Sequence, residues 1–391
     1  MKSTSKFDIV VYGASGFTGK LVAEYFAAHY SGGDPRWAMA GRSLEKLASV
    51  RDAIGAPTDT ALIQADADDK CSLQAMVEQT NLVLSAVGPY QLYGSELLAI
   101  CAATGTDYVD LCGEPVWMRQ MIDAHEAVAR SSGARIVFSC GFDSLPFELG
   151  VRFCQDLAKS QLGAPVSRVK GRVRAMKGTF SGGTAASVKA TFAAAAKDLS
   201  LVALLKNPFA LTPGFEGLKQ PPGNKPIFDE DLNAWTAPFV MATINTRNVH
   251  RSNMLMGFPY GKEFVYDEMV LTGSGEQGEA NAKRVVAANA EKGGPGAPKP
   301  GEGPSKEERD SGLYDLLFVG LAPDGRQVRV AVRGDCDPGY GSTSKIIAEC
   351  AMCLREASEI KPGIWTPVAA MGDRLKTRLI ERAGISLHVE Q

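Results

Sequence analysis

Apolar runs long enough to cross a membrane are missing from this chain of 391 residues. The longest apolar region, "ATFAAAAKDLSLVALLKNPF", carries Lys197 and Asp198 at its middle, where charge is costly in a bilayer. A spanning helix is therefore excluded. An excess of one charge is also missing: 42 Lys and Arg stand against 44 Asp and Glu, which leaves no electrostatic basis for a nucleic acid partner. Histidine is scarce, with only His29, His125, His250 and His388, none in the H-x-x-x-H or H-E-x-x-H spacing of a zinc site. No tyrosine has a lysine four positions on, so the Tyr-x-x-x-Lys pair that protonates a carbonyl in short-chain dehydrogenases is absent. Paired cysteines are nearly absent too. Eight cysteines are scattered singly, as in a reduced compartment, and Cys350 and Cys353 fall in the helix-like "TSKIIAECAMCLREAS", where they read as packing. No metal is expected. The N-terminus "MKSTSKFDIVVYG" lacks a secretory core and cleavage site. The expected location is the cytoplasm, free or peripheral to the inner face of the plasma membrane.

What is present is an alternation of strand-like and helix-like stretches through the first 145 residues. "FDIVVYG", "WAMAG", "TALIQAD", "NLVLSAVG", "DYVDL" and "RIVFSCG" read as strands with helices between them, the pattern of a parallel sheet covered on both faces. The expected first domain is 1–145. From 146 to 340 longer two-residue alternations predict a mixed or antiparallel sheet. Its strands are "VSRVKGRVRAMKG", "PFVMATINTRNVHRS", "EFVYDEMVLTG", "GLYDLLFVGLA" and "RQVRVAVRG", the last two joined by the turn "PDGR". Pro146–Ser160 and Thr184–Leu205 are the helical candidates there. The Gly/Pro/charge-rich stretch 291–312 predicts a flexible loop, either a solvated insertion or a lid. Helices in 341–391 are expected to return to the first domain.

Gly13, Gly16 and Gly19 follow the first strand and open a helix, the context of a dinucleotide fingerprint. The turn "GASGFTG", with Ala14, Ser15, Phe17 and Thr18 between its glycines, would present backbone N–H groups to a pyrophosphate. At the end of the second strand an NAD site would place Asp or Glu, but this chain has Arg42 and Ser43, which suit a 2′-phosphate. NADP(H) is the expected cofactor. Asp66, ending the third strand, touches the adenine edge or caps the next helix. Ala86, Val87, Gly88 and Pro89 follow the fourth strand, where a doubly wound sheet brings its loop under the nicotinamide.

Candidates for proton transfer come from position alone. Tyr90 and Tyr93 border the reacting carbon or simply pack in their loop. Asp143, beside Cys140 and Ser144 at a strand end, is a catalytic carboxyl or a cap before Pro146; Glu114 is a substrate-side carboxylate or a cap before Pro115.

Together "YGASGFTGKLVAEYFA", "MAGRS", "SAVGPYQLYGSELLAICAATGTDYVDLCGE", "CGFDSLPFELG" and "GIWTPVAAMGDRL" resemble the saccharopine dehydrogenase-like oxidoreductases, in the branch containing the trans-acting enoyl reductases. The resemblance covers almost the whole chain. It implies an α/β fold: a Rossmann doubly wound parallel sheet with an inserted second α/β domain on a mixed or antiparallel sheet, and substrate between the two. It also implies hydride addition from NADPH to an α,β-unsaturated thioester of a lipid or polyketide chain, free or carrier-bound. The alternatives are reduction of an imine formed from an amino acid and an oxo-acid, with Arg172, Arg174, Arg247 and Arg251 as cationic groups, and a non-catalytic NADP-binding scaffold or redox sensor. A homodimer, formed through the apolar stretch near Thr184–Leu205, is compatible with any of these.

Overall fold

The structure is a computed structural model that describes residues 5–30, 32–178, 186–187, 190–191, 193, 198–291 and 301–391. Seven strands form a wholly parallel sheet: β1 (Phe7–Tyr12), β2 (Trp37–Gly41), β3 (Ala61–Gln64), β4 (Thr80–Ser85), β5 (Asp107–Asp110), β6 (Arg135–Val137) and, from near the C-terminus, β13 (Gly363–Trp365). Their order is β13-β6-β5-β4-β1-β2-β3, with Val10 of β1 opposite Ala38 of β2 and Val83 of β4. The order reverses beside β1, so a crevice opens at the carboxyl ends of β1 and β4. Every residue of β1 is buried, the near-continuous apolar run that a doubly covered strand requires. Its one charge, Asp8, is held by Arg36 at 2.9 Å; burial opposes ionisation, but those hydrogen bonds keep the carboxyl below its ordinary range.

Successive side chains of β1 serve opposite faces. Ile9 and Val11 join the core under α1 (Phe17–His29) and α2 (Leu44–Ala53), whereas Val10 and Tyr12 join that under α3 (Lys70–Glu78), the turn α4 (Tyr90–Tyr93), α5 (Ser95–Thr104) and α6 (Pro115–Ser132). The first core runs on without a break through α7 (Leu145–Leu162) into the second sheet.

The second sheet has the order β14-β12-β11-β7-β10-β9-β8. Its chain order is β7 (Arg168–Lys177), α8 (Leu199–Lys206), β8 (Ile227–Asp229), β9 (Ala234–Pro238), α9 (Ala242–Leu255), β10 (Val265–Gly273), α10 (Gly275–Glu291), α11 (Lys306–Asp310), β11 (Leu313–Leu321) and β12 (Gln327–Gly334), with β14 (Ile385–Glu390) at its edge. Only β7 and β10 pair in parallel, so the sheet is mixed, and β11 and β12 form the hairpin that "PDGR" predicts. Gly150 lets α7 press onto β11, since a Cβ there would lie 2.0 Å from the Phe318 ring. Between β12 and β13 the helix α12 (Thr343–Glu356) buries Cys350 and Cys353 and packs on α1; α13 (Pro367–Arg382), broken at Gly372, follows β13. Glu349 joins these three helices. It accepts from the Tyr25 and Tyr30 hydroxyls at 2.8 and 2.7 Å and from Arg378.

Three segments depart from the sequence reading or fall outside the described residues. "PFVMATINTRNVHRS" is a helix, α9, and not a strand: Asn245, Arg247, Asn248, His250, Arg251, Ser252 and Asn253 are all buried around it, so no apolar stripe marks its period. Of the helical candidate 184–205 most positions up to 197 lie outside the described residues, and α8 begins at Leu199. Of the loop 291–312, positions 292–300 lie outside them; the remainder holds α11, closed by a capping box in which Ser305 and Glu308 exchange hydrogen bonds.

Candidate active site

Gly13 sits at φ 90°, a conformation few other residues accept, and a Cβ there would also lie 2.7 Å from Val87 of the next crossover. One turn into α1, a Cβ on Gly19 would stand 2.1 Å from the Gly13 carbonyl oxygen, so the helix can rest on the turn only without a side chain. The Gly16 N–H donates to that same carbonyl at 2.9 Å. No side chain caps α1, which leaves the N–H groups of its first turn for an anion.

Over this turn lies a cavity of about 1170 Å³. Gly13, Ser15, Gly16, Arg42, Ser43, Asp66, Ala86, Val87, Gly88 and Pro89 all line it, which brings ten of the expected cofactor positions to one place. Ala14, Phe17, Thr18 and Gly19 do not line it; Ala14 is in the core and Phe17 stands edge-on to Tyr340 at 5.1 Å. Lys46, Ala67, Asp68, Gln91 and Leu92 also line it and were not anticipated. Lys46 was within reach of the sequence, because it lies one helical turn beyond Ser43 on α2.

Two cations mark one end of the cavity. Neither the Arg42 guanidinium nor the Lys46 ammonium has a hydrogen-bond or ion-pair partner among the described residues, and no carboxylate ends β2. The Ser43 hydroxyl accepts from the Lys46 N–H at 3.2 Å, leaving its own proton to donate. Asp66 turns its carboxylate to the Asp68 N–H at 3.2 Å, and the cap of α3 is Asp69 instead. The donor set therefore fits a phosphorylated ribose.

The loop after β4 forms the other end, through Gly88, Pro89, Gln91, Leu92 and Tyr93. It is fixed from below by Glu114, a buried residue whose Oε1 accepts the Tyr90 N–H and whose Oε2 accepts the Gln91 N–H, both at 2.9 Å. Glu114 does stand at the N-cap position of α6, before Pro115, but its carboxylate caps no N–H of that helix and does not line the cavity. Tyr90 is buried, with its hydroxyl donating to the Ser85 carbonyl at 3.1 Å and accepting from the Leu111 N–H at 3.0 Å. Burial pushes that phenol well above its ordinary range. Tyr93 is 39% exposed and lines the cavity. Ala186, Ala190 and Ala193, together with Gly301, reach the same cavity from the region of the second sheet, and Gln91 donates to Thr191 at 3.1 Å.

Asp143 does not line the cavity. It follows β6 at the junction of the two sheets, where its Oδ1 is buried without a partner among the described residues. Burial raises its carboxyl to about 7. Around it, Asn248 donates to Ser144 at 2.8 Å and Asn245 donates to Glu268 at 2.9 Å; burial raises Glu268 to about 8. The four arginines weighed for a dicarboxylate are all engaged. Arg172 lies between Asp229 and Asp267, Arg174 between Asp315 and Glu390, and Arg247 and Arg251 donate to backbone carbonyls.

Residues 9–137 match the family described as Saccharopine dehydrogenase NADP binding domain. Over 98% of its length the chain is 40% identical to a Mycobacterium tuberculosis protein provisionally named a trans-acting enoyl reductase, 97% of which is covered. It is 35% identical to a trans-acting enoyl reductase of Mycobacterium bovis, with 96% of each chain covered. Among solved structures the apo saccharopine dehydrogenase (L-Glu forming) of Saccharomyces cerevisiae shares the fold, with a TM-score of 0.56 and 11% identity over 98% of this chain and 100% of that one.

Proposed function

Because this chain belongs to the trans-acting enoyl reductase family of saccharopine dehydrogenase-like oxidoreductases, we propose that it uses NADPH to reduce the C=C bond of an α,β-unsaturated acyl thioester. It is an NADP-dependent oxidoreductase. The observation that carries the substrate reading is the contrast between the ends of the cavity. Arg42, Ser43 and Lys46 offer unclaimed donors at one end, while Leu92, Tyr93, Ala186, Ala190 and Ala193 give the other an apolar mouth suited to an acyl chain. An imine built on a dicarboxylic amino acid would need free cations there, and none of the four arginines weighed for it lines the cavity: Arg172 and Arg174 are held by carboxylates, Arg247 and Arg251 donate to backbone carbonyls.

In this reading the segment 1–145 holds the cofactor, 146–340 supplies the acyl side, and 341–391 returns to the first sheet through α12 and β13 before β14 closes the edge of the second. The turn at Gly13, Gly16 and Gly19 holds the pyrophosphate, Arg42 and Ser43 hold the 2′-phosphate with Lys46, and Asp66 borders the adenine. When bound, NADPH supplies the hydride that adds at the β-carbon. The chain must then deliver a proton to the α-carbon and exclude water meanwhile. Tyr12 and Tyr93 are the phenols that line the cavity; Tyr93, on the loop after β4, is the proton donor in this reading, and Asp143, which does not line the cavity, takes no part in it. Tyr90 spends its hydroxyl on Ser85 and Leu111, and in this reading it holds the loop. The substrate is acyl, free or carrier-bound.

The test is NADPH oxidation followed at the nicotinamide absorbance. Oxidation by a short enoyl thioester, with none by mixtures of oxo-acid and amino acid, is the expected result. The reverse selectivity would assign the imine reaction, and no oxidation with either acceptor a binding role without catalysis.

A further inference from the structure

Glu114 lies outside the cavity, yet both its oxygens are spent on the loop that lines it. The Tyr90 and Gln91 N–H groups it accepts sit between Pro89 and Leu92, which both face the cavity. Glu114 is itself anchored. Its N–H donates to Cys112 Sγ at 3.4 Å, the Cys112 N–H donates to Asp110 Oδ1 at 3.0 Å, and the Ser139 N–H donates to the same oxygen at 3.0 Å. The Ser139 hydroxyl closes the circuit on the Cys112 carbonyl at 2.6 Å. The ends of β5 and β6 thus form one rigid platform whose upward contacts are the Glu114 carboxylate and, through the Leu111 N–H, the Tyr90 hydroxyl. Above the loop the Gln91 amide continues the chain to Thr191, and Ser187 stands within 3.9 Å of the Cβ position of Gly88.

We infer that Glu114 is a positioning residue for the nicotinamide end of the cofactor: it sets the Gly88–Tyr93 loop and, through Gln91, the contact with Thr191. The inference rests on the reading of the cavity as the NADP(H) site. Its chemistry demands a carboxylate. Two neighbouring N–H donors need two acceptor oxygens, and an amide would set its NH₂ against one of them and leave a buried donor unpaired. Aspartate, one methylene shorter, keeps the acceptors but can reach only one donor.

The full chain would be titrated with two probes. Adenosine 2′,5′-bisphosphate reaches only the Arg42 end, whereas NADPH spans the cavity and reports immobilisation of its ring by enhanced fluorescence. For Glu114→Gln the expected result is NADPH affinity about tenfold weaker with the fluorescence enhancement lost, and bisphosphate affinity within about twofold of wild type. Glu114→Asp, with one bond retained, is expected to fall between them, and it carries the test should the glutamine variant fail to fold. Equal weakening of both probes, or of neither, would overturn the inference by making Glu114 a stabilising residue without a positioning role. Wild-type protein that bound neither probe would overturn the cofactor reading, and the inference with it.

Discussion

Arg42 stands without an ion-pair or hydrogen-bond partner among the described residues, while Arg172 and Arg174 on β7 are each fixed by two carboxylates. The first can therefore bind a phosphate at little cost, whereas the others would have to break existing pairs. Arg42→Ala is expected to weaken NADPH binding about 10- to 100-fold and to leave NADH binding within about twofold, as fluorescence titration would read. Tighter binding of NADH by the wild type would refute this role. At Gly19 the argument is steric. A Cβ 2.1 Å from the Gly13 carbonyl must push α1 off its turn, so Gly19→Ala is expected to abolish NADPH binding and to lower stability by about 1–3 kcal/mol in urea unfolding. These residues were legible because their neighbours in sequence are their neighbours in function. Tyr90 and Tyr93 were not. They share one short turn, and only the hydroxyl contacts of Tyr90 and the exposure of Tyr93 show which is wall and which is mouth.

Among the elements, the strands and helices around the parallel sheet were legible because burial there follows one period per element, continuous in β1 and helical in α6. The helix α9 was not, because it buries polar residues on most of its surface, some held by hydrogen bonds that no hydropathy pattern encodes and others, such as His250 Nε2 and Asn248 Oδ1, without a partner among the described residues. Arg251 shows what holds it. Its guanidinium donates to the Leu211 carbonyl at 2.8 Å and the Ile364 carbonyl at 2.7 Å, tying α9 to β13 of the other sheet. Arg251→Leu keeps the apolar stem but leaves two buried carbonyls unpaired. The expected cost is about 2–5 kcal/mol in urea unfolding, with the affinity for adenosine 2′,5′-bisphosphate unchanged in the folded fraction. β13 itself escaped the sequence for a simpler reason: three residues are too few to show a period, and its place beside β6 is fixed by pairing.

In the whole molecule the core that runs between the two sheets encloses carboxyls that the sequence presents as ordinary surface charge. Burial raises Asp110 and Asp143 to about 7 and Glu148 and Glu268 to about 8. Their hydrogen bonds with Tyr108, Ser252, Asn245 and Tyr266 do not offset the loss of water. An unfolded chain releases these protons near pH 4 to 4.5, about the ordinary carboxyl range, while the folded chain keeps them until about 7 to 8. Across that window the folded state binds more protons, so the free energy of unfolding declines as pH rises and the full penalty is reached above the folded values. Asp8, Asp229 and Glu390 act in the opposite sense. They are held below their ordinary range by Arg36, by Lys170 with Arg172, and by Arg174, so their contribution is lost only as pH falls into the acid range. Between pH 5.5 and 8.5 His250, which burial keeps neutral down to about 3, opposes the trend as the unfolded chain gains its proton, but the four raised carboxyls outweigh it, and the protein is expected to be more stable at the lower value by a few kcal/mol in urea unfolding. Glu268→Gln cannot ionise, retains an acceptor for Asn245, and should remove part of that slope while leaving stability at pH 5.5 within about 1 kcal/mol of wild type. A slope unchanged by the substitution would mean that Glu268 is already ionised in the folded protein, with Asn245 and Tyr266 sufficient to hold the charge.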